Sequence, residues 1–151
     1  MAYTTLRALR ILLVLGPIAC STPAVAAENP CADASSQSDN LRVEKDRNAS
    51  AIEVLDKSAH WRVVFRSLAE VDLPRQSPDT NYLAYVSGEG GSPSLYLQRP
   101  STGAKEPVAS LESKPVDLCF DSNGSVIHVV FSSGAVTDYD ITSQQRLLPG
   151  R

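Results

Sequence analysis

The chain has 151 residues, 14 of them Lys or Arg and 17 Asp or Glu, for a formal net charge of −3. That acidic balance gives no electrostatic reason to bind a phosphate backbone or an anionic membrane surface, so nucleic acid is not an expected partner. At this length, and with 42% hydrophobic residues, the sequence suits a single domain with its own core.

The first 27 residues have the order of an export signal. Met1 to Arg10 carries Arg7 and Arg10 and no acid, and Ile11 to Ala19 is a short apolar core. Ala24-Val25-Ala26-Ala27 then supplies small residues for cleavage after Ala26 or, the site favoured here, after Ala27. The apolar run is about nine residues where a spanning helix needs roughly 20, and Pro17 interrupts it, so no membrane span is expected after processing. Lipidation of Cys20 after cleavage at Ala19 is the alternative, although Pro17 stands where such signals usually place Leu. The expected location is secreted or periplasmic.

Processing leaves Cys31 and Cys119 as the only cysteine pair. In an oxidising compartment these are expected to form one disulfide closing a loop of roughly 90 residues. Residues 28–40 are rich in Ala, Ser, Asp, Asn and Gln and lack apolar anchors, which predicts a flexible leader that such a bridge would pin. Residues 41–58 fit either a short helix, through the capping-box pattern Ser50-Ala51-Ile52-Glu53, or a strand, through the alternation of Ile52, Val54 and Asp56.

From His60 onward, period-2 segments alternate with Gly, Pro, Ser and Asn clusters, so the expected class is mainly β. About eight short strands are predicted, near residues 60–66, 82–87, 94–99, 107–111, 116–120, 126–131, 135–141 and 145–148. Trp61, Val63 and Phe65 should share a buried face opposite His60, Arg62 and Arg66. Val116, Leu118 and Phe120 alternate likewise, which turns Cys119 to the opposite face, where a leader segment could dock. Val126 to Phe131 is apolar on both faces apart from His128 and belongs in a sheet interior.

The sequence also repeats itself. Ser77-Pro78-Asp79-Thr80-Asn81-Tyr82-Leu83-Ala84-Tyr85-Val86 matches Asp121-Ser122-Asn123-Gly124-Ser125-Val126-Ile127-His128-Val129-Val130, each a turn running into an apolar strand. Pro presets a turn dihedral, Asp or Asn supplies a side-chain acceptor, and Gly tolerates positive φ, although Thr80 holds the Gly position in the first copy. With Tyr139-Asp140-Ile141 near the end of the second repeat, residues 60–148 resemble blades of a β-propeller of the TolB or Trp-Asp-repeat type. The resemblance implies four-stranded antiparallel units near 60–111 and 116–148, inside one β-rich domain spanning 41–151. Propellers close with about four to eight such units, so two repeats imply an open sheet or small sandwich rather than a closed ring.

No chemical motif stands out. His60 and His128 lack metal-ligand spacing with each other or with Asp117, Asp121, Asp138 and Asp140. Gly88-Glu89-Gly90-Gly91-Ser92 is neither a nucleophile elbow nor a phosphate loop, and Asp121-Ser122-Asn123-Gly124 lacks the rest of a calcium loop. No catalytic, cofactor-binding or metal-binding residue is assigned, and no cofactor is expected. The sequence favours a non-catalytic exported protein acting through contact with an unidentified protein partner, or with itself through sheet edges. Alternatives are a small-ligand or metal-binding exported protein and, less favoured, a fragment of a secreted hydrolase.

Overall fold

The computed structural model describes residues 29–143 and 145–147. The signal segment, the Ala27 cleavage site, Cys20 and Leu148 lie outside the described residues. Within them a single 3₁₀ turn, Ala34–Gln37, precedes eleven strands. These are β1 Leu41–Asp46, β2 Ala49–Leu55, β3 Trp61–Ser67, β4 Val71–Gln76, β5 Leu83–Ser87, β6 Ser94–Gln98, β7 Lys105–Ser110, β8 Asp117–Phe120, β9 Val126–Val130, β10 Val136–Asp140 and β11 Gln145–Leu147. They form three antiparallel meanders, β1-β2-β3, β4-β5-β6-β7 and β8-β9-β10-β11.

Residues 41–55, which the sequence leaves open between helix and strand, make a hairpin. Asp46 pairs with Ala49 around a tight turn, and Val43 pairs with Ile52. The strand wins because it buries Ile52 completely against Val71, Leu83 and Tyr85 of the second sheet, while Ser50, the would-be helix cap, is itself buried. Strand β4 was absent from the expected set. Pro74 and a bulge between Asp72 and Arg75, with Leu73 at φ 52°, break its alternation.

Two apolar layers hold the sheets together. Ile52, Val71, Leu83 and Tyr85 fill the first, with Val64, Phe65 and Tyr96 at its margin. The Phe65 and Tyr85 rings lie 4.8 Å apart, and Gln98 Nε2 donates to the Val64 carbonyl at 3.2 Å across the same gap. Alternation on β3 is corrected here. A bulge at Ile52/Glu53 shifts the register, so Val64 and Phe65 face the layer while Trp61 stays 37% exposed beneath Arg42. The second layer is larger and joins Ala84, Val86, Leu95 and Leu97 to Leu118, Phe120, Ile127, Val129 and Tyr139. Val116 does not share it; it precedes β8 and is 55% exposed.

Leu118 and Phe120 point into this second layer, so Cys119 points to the far face of the third sheet. There it is disulfide-bonded to Cys31, with a Cα separation of 5.5 Å. Val130, Ala34 and Val136 pack around the bridge. Gln37 completes the attachment by accepting from the Phe120 N–H at 2.8 Å and donating to the Phe120 carbonyl at 2.9 Å. Its amide thereby acts as a one-residue strand on the free edge of β8. Residues 29–40 are held against the third sheet by these contacts.

The repeat seen in the sequence is structural. Both copies are turns joining the first strand of a four-stranded sheet to its second, and the turns touch. Gly124 lies at φ +70°, and a Cβ placed on it would come within 3.3 Å of Pro78 Cδ. Thr80, at the matching position, is forced to φ 63° without the freedom of Gly. Its side chain is exposed, so Thr80→Gly should relieve a left-handed cost of about 1–2 kcal/mol while adding about 0.5–1 kcal/mol of unfolded-state entropy. The expected outcome is a higher urea midpoint by about 0.5–1 kcal/mol of stability, whereas Gly124→Ala should lose about 1 kcal/mol or more.

Candidate functional site

Strand direction along the inner side of the arc defines the site. Arg75, near the end of β4, pairs with Asp117 at the start of β8 at 2.8 Å, and Asp72, near the start of β4, meets Lys114 just ahead of β8 at 2.8 Å. Strands β4 and β8 therefore run side by side in the same direction. By contrast, Lys45 at the end of β1 reaches Glu70 and Asp72 at the start of β4, at 2.9 and 3.0 Å. Asn40, just before β1, shares a cleft with Gln76 and Ser77 at the other end of β4. Strand β1 thus runs opposite to β4 while lying beside it at the inner rim, as β8 does on the other side.

At one end of this inner rim Lys45, Glu70, Asp72 and Lys114 form a network drawn from all three sheets. Burial acts to raise the Asp72 carboxyl, but hydrogen bonds from Lys114 and Lys45 outweigh it and hold the group below its ordinary range. The bond to Glu70, followed by that to Asp72, pushes Lys45 upward, and the Asp72 bond does the same for Lys114. A cleft of about 180 Å³ opens beside the network, walled by Val86, Gly88, Gly91, Ser92 and Pro93. Leu68, 90% exposed, and Val116 stand two residues from Glu70 and Lys114, so this end presents apolar and charged groups together.

A second concavity of about 210 Å³ lies between the second and third sheets, with Glu112, Phe131, Thr137, Tyr139 and Arg146 in its wall. Burial pushes the Tyr139 phenol above its ordinary value, Arg146 opposes this and Glu112 adds to it.

The residues considered for chemistry are scattered. His60 is exposed, whereas His128 sits on β9 with Nδ1 at 2.8 Å from Asp138. Asp117 binds Arg75, Asp121 accepts from the Ser125 and Val126 N–H groups, and Asp140 accepts from Ser143. Three of these carboxylates thus have structural partners in turns or ion pairs. Among the described residues no group of three His, Cys, Asp or Glu side chains is placed to hold a metal ion. Gly88 to Ser92 belong to the β5–β6 connection. The charged network was invisible in the sequence because its members are far apart in the chain and none sits in a motif.

No family model matches the chain. Over 49 residues, 32% of the chain, it is 47% identical to the Tol-Pal system protein TolB of Xanthomonas oryzae pv. oryzae, an alignment spanning 11% of that protein. Its structure is similar to TolB from Acinetobacter baumannii, with a TM-score of 0.59 and 23% identity over 71% of this chain and 29% of that one. The three sheets are propeller-like blades. The β-propeller domain of the trilobed protease from Pyrococcus furiosus is also similar, with a TM-score of 0.56 and 13% identity over 72% of this chain and 36% of that one. The chain therefore spans 11% to 36% of these three relatives, and at these identities the structural likeness establishes the fold alone.

The network joining the blades makes a pH prediction. Asp72 is depressed in the folded state, so its contribution is present above its unfolded value of 3.8 and is lost as pH falls through the lower folded value. Because its lysine partners are largely exposed, the contribution is small. Asp72→Asn should cost less than about 1 kcal/mol near pH 7, and the difference from the parent chain should vanish as pH falls through the depressed folded-state range in urea titrations.

Proposed function

We propose that this chain is an exported, non-catalytic blade protein that works by protein contact in a periplasmic or extracellular assembly. The observation that carries the reading is the 47% identity to the Tol-Pal system protein TolB, together with a fold shared with TolB. Residues 1–27 have the order of an export signal, which supports the same compartment. A bridged Cys31–Cys119 suits an oxidising one. Asp117, Asp121, Asp138, Asp140 and His128 are spent on turns and ion pairs rather than gathered in a cleft, which favours binding over catalysis. Exposed Leu68 and Val116 beside the Lys45–Asp72–Lys114 network offer an apolar anchor within a charged rim, the composition that protein contacts use.

Intact mass of the protein recovered from the host envelope tests the export half. The expected value is the chain without residues 1–27, heavier by two protons after reduction of one disulfide. An unprocessed cytoplasmic mass defeats it, and a lipid-bearing mass starting at Cys20 would move the protein to a membrane surface. Size-exclusion with light scattering tests the contact half. A complex with an envelope protein is expected, weakened at least tenfold by Leu68→Asp with Val116→Asp, and a stable monomer with no co-purifying envelope protein refutes it.

A further inference from the structure

The concavity between the second and third blades draws its wall from separate stretches of the chain. Thr137 and Tyr139 are two residues apart on β10 and so share one face. Tyr139 stands directly across from Arg146 on β11, which brings the Arg146 side chain to that face as well. Arg146 Nη2 donates to Thr137 Oγ1 at 3.4 Å, and all three residues line the cavity. The connection between β7 and β8 supplies the opposing wall. There the Leu111 N–H donates to the Pro93 carbonyl at 2.8 Å and the Leu111 side chain is buried in the second apolar layer, which fixes Glu112 and Ser113 beside the cavity. Phe131 and Ala135, joined by an N–H to carbonyl bond of 2.9 Å across the β9–β10 turn, add an apolar flank.

The polar groups of this wall are not spent on one another. Thr137 and Tyr139 are buried, yet the Tyr139 hydroxyl has no hydrogen-bond partner among the described residues and opens onto the cavity. A buried phenol ordinarily finds one. Arg146 and Glu112 form no ion pair with each other or with any other described residue. Both nevertheless act on the phenol, Arg146 lowering it and Glu112 raising it, so the two charges flank the same oxygen. Burial outweighs them and keeps the phenol protonated, as a hydrogen-bond donor. A cation, an anion and a free hydroxyl thus surround about 210 Å³ of space that also has an apolar flank. That is the complement of a small zwitterion carrying a hydrocarbon group.

We propose that this cavity binds a free α-amino acid with a short aliphatic side chain. Its carboxylate lies on Arg146 and the Tyr139 hydroxyl, its ammonium on Glu112, and its side chain against Phe131 and Ala135. Arginine presents paired donors that match a carboxylate, which sets the orientation. A residue within a peptide lacks at least one of the two charges, and the volume is below the range of about 300–1,000 Å³ that larger ligands take. Arg146 and Glu112 are exposed, so water screens both and the affinity is weak, with a Kd of about 1 mM. The site goes beyond the protein-contact reading and shares no residue with the Lys45–Lys114 network, so either can fail without the other.

The test is a titration of the purified protein, disulfide intact, with L-valine, followed through the backbone amide NMR shifts of Ser113, Thr137 and Tyr139. Saturable shifts with a Kd of about 1 mM are expected. Isobutylamine, which lacks the carboxylate, and 3-methylbutanoate, which lacks the amine, should each bind about tenfold more weakly. Arg146→Gln and Glu112→Gln, both at exposed positions, should each weaken valine about tenfold while leaving the urea midpoint near that of the parent chain. Glu112→Gln should leave 3-methylbutanoate binding unchanged, and Arg146→Gln should do the same for isobutylamine. No saturable shift up to about 20 mM valine, binding of either analogue as tight as that of valine, or an undiminished valine response in either charge variant would overturn the proposal.

Discussion

In a stack of twisted sheets the inner members are buried on both faces, but each end sheet keeps one face without a neighbour. Everything else in this structure depends on how those two end faces are treated. The far face of the third blade is covered by a leader that cannot fold alone, fastened by Cys31–Cys119 and the Gln37 amide. A bridge across 88 positions removes unfolded-state entropy worth on the order of 4 kcal/mol in the chain-entropy model. That offsets only part of the ordering cost of residues 29–40, at about 1–2 kcal/mol per residue, and the Gln37 amide and the packing of Ala34 against the bridge add to the offset. The opposite end is treated by composition. The outward face of the first blade carries Arg42, Glu44, Asp46 and Arg66, and its one deeply buried acid, Glu53, is neutralised by Arg42 stacked over Trp61. Repeat arrays commonly need end units with a polar outer face, and this arc meets that need differently at its two ends.

Between the ends, the blades are joined by two kinds of contact with different dependence on solution conditions. The apolar layers around Tyr85 and Phe120 carry no charge for salt to screen or for a change in pH near neutrality to remove. Ion pairs along the inner rim, Lys45 to Asp72, Lys114 to Asp72 and Arg75 to Asp117, are more exposed and contribute less energy. Their value lies in geometry. Each ties the first strand of one sheet to its neighbour at a fixed offset, which sets the stagger that the apolar layers alone would leave loose.

Much of the fold was legible because local patterns and tertiary burial agree. The turn before β5 and the turn before β9 were readable as one repeated device, and they occupy the same place in successive blades. Orientation of Cys119 followed from the alternation of Leu118 and Phe120. Where reading failed, a bulge or a proline had broken the period. Strand β4 contains both, and the bulge opposite β3 turns Trp61 outward against its apparent phase. The charged network could not be read at all, since Glu70 and Lys114 are ordinary surface charges until the topology places them 3.9 Å apart.

The treatment of the end faces also limits how partners can approach. A further blade packing on the third one would need the face that Cys31, Ala34, Val130 and Val136 already fill. A further blade on the first would have to desolvate Glu44, Asp46 and Arg66, with little more than part of Trp61 as apolar return. Ring closure by stacking is thus disfavoured at both ends. What stays open is the perimeter. The outer strands β3 and β7 are guarded by Arg62, Arg66 and Pro107, residues that discourage edge pairing. The inner edge of β1 carries Lys45, held by Glu70 and Asp72, a charge that guards that edge as well. A chain built this way leaves its charged rim, rather than its strand edges or end faces, for contact with a partner.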